Sequence, residues 1–198
     1  MKSPLRYQIT DFDCGSVSLI NCVSFLFERE EIPTELIKVI SSYTLDCYDD
    51  KGRLGNSSIN HEIMIFISRW ISEYAVQKMI PLICKYARGI GINILLIKKV
   101  ISAGGCVNLR TYRAGEAHYV MITGMDSENM YIFDPYYKET STNEAIKIDN
   151  TKPFSYNRKV KIEHFLSTSK TELALGPEND REAIYFCRND EILEMASG

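Results

Sequence analysis

The hydrophobic rhythm of the chain changes once, at Gly104-Gly105, and that change restricts the fold more than any other feature. Before the glycines, apolar residues recur at helical spacing. Leu19, Ile20, Val23 and Phe27, with Cys22 and Leu26, predict a buried helix over 15–29 that starts after Asp13 as its N-cap. Pro33 ahead of Leu36, Ile37 and Ile40 predicts a second helix, since proline is tolerated in a first turn. Ile63, Phe66, Ile67, Trp70 and Ile71 predict a third over 59–74. Residues 77–88 read as a fourth helix and 92–103 as the last, ended by the glycine pair as a C-cap. Between them, 44–58 is rich in Asp, Ser and Gly and reads as an exposed loop.

After the glycines come short runs of β-branched and aromatic residues at 107–112, 118–125, 130–133, 145–148 and 183–187. A turn at 126–129 joins the second and third of these as a hairpin. Helices first and an antiparallel sheet second define an α+β protein: one domain over 1–198, with a helical lobe to about 103 and a β lobe after it. A chain of 198 residues, 45% apolar and 25% charged, has enough apolar surface for one real core.

The balance of 23 basic and 26 acidic residues, net charge −3, argues against a nucleic-acid or anionic-membrane partner. The most apolar run, 90–97, is far short of a membrane span, and the N-terminus has no signal-peptide stretch. A cytoplasmic protein with reduced thiols is expected. The six cysteines show no Cys-x-x-Cys pair and no Cys/His spacing of a zinc site, so neither a metal nor a cofactor is implied.

Among those cysteines Cys14 stands out, because it lies at the predicted first turn of the buried helix and is followed by glycine. Free amide N–H groups and the positive end of the helix dipole favour a thiolate there, while the neighbouring Asp13 opposes it unless its carboxylate points away. Taken alone, Cys14 is more simply a small buried core residue. It has company, however. Gln8, six residues upstream, is placed to reach over the thiol as an oxyanion donor. His118 opens one strand and Asp134 ends the next, so a hairpin sets them side by side, with the aspartate orienting an imidazole that faces the cysteine.

The strings Gln8-Ile9-Thr10-Asp11-Phe12-Asp13-Cys14-Gly15, Gly104-Gly105-Cys106-Val107-Asn108-Leu109, His118-Tyr119-Val120 and Asp134-Pro135 resemble the papain-like cysteine peptidase family thirty-nine. Its members include the bacterial domains that trim double-glycine leaders from bacteriocin precursors. The resemblance runs in motif order over about residues 4–138. It implies a papain-like fold in which Gln8 is the oxyanion donor, Cys14 the nucleophile, His118 the base and Asp134 the orienting acid. Ser16-Val17-Ser18-Leu19 replaces the small residue and second cysteine usual in exporter members, so the chain looks closer to stand-alone relatives of the family.

The implied activity is hydrolysis of a peptide or isopeptide bond in a peptide or protein substrate through a Cys14 thioester. The same thioester also serves an acyltransferase, transglutaminase or deamidase, and a papain-like module that binds peptide without turnover is the non-enzymatic alternative. The other two histidines have weaker claims. His61 has no second histidine four residues on and reads as a surface residue at a helix start; His164 has no Asp-Pro after it and reads as partly exposed. Residues 52–57 lack the Gly-Lys-Ser/Thr end of a phosphate loop, and the cysteines other than Cys14 read as core.

Overall fold

The computed structural model describes residues 1–45, 51–53 and 59–188. Its elements run α1 (Cys14–Leu26), α2 (Thr34–Leu45), α3 (His61–Gln77), β1 (Ile83–Arg88), α4 (Ile94–Ser102), β2 (Cys106–Arg113), β3 (Glu116–Met125), β4 (Asn129–Phe133), β5 (Ile146–Ile148), β6 (Arg158–Lys161), α5 (Ile162–Phe165) and β7 (Glu182–Cys187). This is the α+β architecture expected, with mostly helices first and an antiparallel sheet after them. The strands form one sheet in the order β1-β7-β2-β3-β4-β6-β5.

Alternation along the central strands sorts their side chains onto two faces. Tyr119, Met121, Ile184 and Phe186 pack with Leu19, Val23, Met64 and Ile67 of α1 and α3, while Val107, Leu109, Val120 and Ile122 pack with Ile97 and Val100 of α4. Both faces are covered, so β7 is buried along its whole length and the central strands read as near-continuous apolar runs. Each fully buried Leu or Ile in these layers contributes about 1.5–3 kcal/mol, which is what holds α1 flat against β3.

Two segments differ from the sequence reading. The stretch 77–88 is not a helix: α3 stops at Gln77, Met79 sits in the left-handed region (φ 53°), Pro81 cannot donate a helical hydrogen bond, and β1 follows. What makes 83–88 a strand is its pairing with β7, about a hundred residues further on, and no local pattern announces that partner. Likewise β6, Arg-Lys-Val-Lys, lies in a region read as having no element; it is a strand because β4 and β5 flank it. The last helix ends as expected, with Gly104 at φ 76° where a side chain would be strained, and its amide donating to Ile101 O at 2.9 Å. Most of the predicted 44–58 loop, and Cys47 with it, lies outside the described residues. Residues 44–45 belong to α2, and 51–53 are exposed.

Candidate active site

Cys14 is the first residue of α1, and its side chain is buried at 3% exposure. Asp13 occupies the N-cap position, but its side chain does not cap the helix. Its carboxylate turns back instead, accepting from Ile9 N and Thr10 N at 3.1 Å each. Those two amides lie in an exposed loop with no sheet partner, so the carboxylate closes the loop and points away from the helix end. Gly15 leaves room beside Cys14 for the Ile59 side chain, which a Cβ there would meet at 2.4 Å. Ser18 Oγ donates to Tyr119 O at 2.9 Å, fixing the helix beside the strand residue next to His118.

The β3–β4 hairpin pairs Met121 with Phe133, so Asp134, one residue on, returns toward the His118 end of β3. His118 Nε2 donates to Asp134 Oδ1 at 2.7 Å, and both side chains are buried. Two residues that the sequence reading did not single out complete the aspartate's surroundings. Asn157 brackets the Asp134 backbone, its Oδ1 accepting from Asp134 N and its Nδ2 donating to Asp134 O, each at 2.8 Å. Arg158, fully buried, faces Asp134 Oδ2 with Nε at 3.7 Å and donates from Nη2 to Tyr136 O at 2.6 Å. Tyr136 N gives Oδ1 a second donor at 2.8 Å. The signal for Asn157 and Arg158 is tertiary: nothing near them in sequence marks an arginine that β6 carries into the interior.

These contacts set the charge of the pair. Burial disfavours the His118 imidazolium, but the Asp134 carboxylate, by charge and hydrogen bond, and then the Cys14 thiol, outweigh it and raise the imidazole to about 9. Asp134 is opposed by burial too, yet His118, Arg158 and the Tyr136 amide hold it below the ordinary carboxylate value. With Nε2 committed to Asp134, Nδ1 is the nitrogen left to meet Cys14. The fold therefore joins His118 to Asp134 and sets the helix that begins at Cys14 beside the strand that carries His118.

Gln8 arrives on the same side, its backbone N–H donating to Pro135 O at 2.9 Å. Its side-chain Nε2 donates to Thr10 O at 2.6 Å, while Oε1 is buried without a hydrogen-bond partner. A primary amide carries a second N–H beyond the one given to Thr10. The remaining candidates fall elsewhere. His61 is exposed at the first position of α3, where Asn60 is the cap, and His164 is partly buried with Nε2 against Glu172 O. Cys22, Cys84, Cys106 and Cys187 are core residues; burial pushes the Cys22 and Cys84 thiols well up and the Cys187 thiol to about 11.

The structure thus holds a buried thiol at a helix N-terminus, laid against an antiparallel sheet that carries a buried His–Asp pair. Among solved structures, a chain from Bacillus anthracis described as a C39-like peptidase has the same fold, with a TM-score of 0.53 over 95% of this chain and 96% of that one at 15% sequence identity. No protein-family model and no curated protein matches the chain. Among the described residues, no helix is long and apolar enough to cross a membrane.

Proposed function

We propose that the protein is a papain-like cysteine peptidase of the cytoplasm, cleaving a peptide or isopeptide bond of a peptide or protein substrate. The observation that carries this reading is the buried His118–Asp134 pair at 2.7 Å, on the sheet against which α1 sets the buried Cys14. At neutral pH an imidazole raised to about 9 is protonated, so Asp134, Arg158 and His118 together hold one net positive charge. In the proposed mechanism Cys14 reacts as the thiolate, paired with that imidazolium. The thiolate attacks the substrate carbonyl, and the tetrahedral oxyanion is met by the Cys14 backbone N–H and by the second amide N–H of Gln8. Collapse to the thioester expels the amine, which takes its proton from His118. Water, deprotonated by the now neutral imidazole, releases the acid and restores the thiolate. Asp134 stays ionised throughout and keeps the ring turned toward Cys14.

Thiol alkylation as a function of pH, read at each cysteine by peptide mass spectrometry, tests the reading. Cys14 should react rapidly below pH 7 and lose that reactivity in His118→Ala, while Cys22, Cys84 and Cys187 stay slow. If Cys14 reacts no faster than these buried thiols, no ion pair exists and the enzymatic reading fails.

A further inference from the structure

Arg113 ties together the three segments that carry the site. It closes the β2–β3 hairpin opposite Glu116, across a two-residue turn in which Ala114 (φ 51°) and Gly115 (φ 82°) are both left-handed. Thr111 pairs with His118 two residues earlier, so Arg113 lies on the same face as His118, about 7 Å further along the strand. Its guanidinium lies 3.6 Å from the centroid of the Tyr136 ring, just after Asp134. Asp11, in the loop between Gln8 and Cys14, approaches its Nη2 at 3.5 Å.

That ion pair is weak as built. The contact is single and long, and the Asp11 side chain is 74% exposed against 25% for Arg113. Among the described residues Asp11 is the one carboxylate within ion-pair distance of Arg113; Glu116, across the hairpin, is not. The Tyr136 ring holds the guanidinium in place over its face, and the N–H donors around its edge suit a carboxylate. An exposed monodentate pair contributes little, so a better-placed carboxylate displaces Asp11 readily.

We propose that Arg113 is a specificity residue that selects substrates with a carboxylate within about two residues of the reacting carbonyl, a spacing set by the strand rise, and that Asp11 holds the place of that carboxylate in the free protein. The inference rests on Cys14 being the nucleophile. The carboxylate has two possible sources, the side chain of an acidic residue or the free C-terminus of a peptide.

The test uses three thiol-directed probes on the full chain. N-iodoacetyl-glycinamide is neutral, N-iodoacetyl-glycine carries a terminal carboxylate, and N-iodoacetyl-aspartic acid α-amide carries a side-chain carboxylate. Their rates are read at Cys14 by peptide mass spectrometry. At least one acidic probe should outpace the neutral one by about fivefold or more, the ratio expected of roughly 1 kcal/mol of ion pairing. Whichever acidic probe is faster names the source. Arg113→Gln should bring the ratio close to one, Arg113→Lys should keep part of it, and Asp11→Asn should raise it. A role confined to stability would not move the ratio in opposite directions in the Arg113 and Asp11 variants. Equal rates in the wild type with a reactive Cys14 would overturn the role of Arg113 and leave the thiol chemistry standing, as would a ratio unchanged in Arg113→Gln. A Cys14 no more reactive than the core cysteines toward any probe would overturn both.

Discussion

The two sides of the candidate site are built differently. On the His118 side, Asp134, Asn157 and Arg158 are buried on adjoining strands, and both oxygens of the aspartate face a positive partner. On the Cys14 side, residues 8–13 form a largely exposed loop, with Ile9 at 95% exposure, hung on the two Asp13 bonds, on Gln8 N to Pro135 O and on the reciprocal Arg6–Asn21 pair. The contrast shows where rigidity is needed. Under the proposed mechanism burial would hold a base at His118 in place before substrate arrives, whereas the loop can shift by breaking a few solvent-accessible hydrogen bonds.

The sharpest way to break this comparison is to remove the centre of the buried side. Asp134→Ala strands Arg158 and His118 without their carboxylate, and losing one partner of a buried charged set costs about 3–5 kcal/mol. Urea unfolding should show a loss of that size, and a loss no larger than that of Asp13→Ala would mean the two sides are not built differently after all.

Titration gives the next largest effect. The His118 pKa of about 9 in the folded protein stands above its ordinary 6.5, so its contribution to stability is complete below about pH 6.5 and disappears as pH rises through about 9. The difference corresponds to at most about 3 kcal/mol. Asp134 has the opposite sign: its contribution is present above the ordinary carboxylate range and is lost as pH falls. Followed by NMR, the His118 ring signals should titrate with a midpoint near 9, and a midpoint near 6.5 would count against a charged imidazole.

The exposed side should yield the smallest changes in stability. Asp13→Ala should cost about 1 kcal/mol, as for loss of a local side-chain-to-backbone bond, and Gln8→Ala should stay within about 0.5 kcal/mol. Under the proposed mechanism Gln8→Ala should nonetheless lower turnover about 100- to 1000-fold. A large destabilisation in Gln8→Ala with turnover retained would reverse that assignment.

The candidate site was legible where it depends on short spacings. The helix carrying Cys14, the hairpin carrying His118 and Asp134, and the glycine stop before the sheet are local features, each with its own signal contained in about twenty residues of sequence. The direction of the Asp13 carboxylate was not legible, because capping the helix and bonding Ile9 and Thr10 are both open to an aspartate at that position. Arg158 was equally silent. A strand of Arg-Lys-Val-Lys resembles an exposed edge until β4 and β5 flank it and Asp134 waits inside.

By itself, the sequence determined the division into helices and sheet and the placement of a cysteine at a helix start, since periodicity and the turn at Gly104-Gly105 act on the local backbone. Tertiary structure alone decided that 83–88 is a strand, that Asn157 and Arg158 hold Asp134, and that Arg113 bridges Asp11 and Tyr136. Each of these depends on pairing between residues distant along the chain. A buried charge or an added strand is stable only against its particular partner, and a local sequence pattern does not say which remote segment that partner will be.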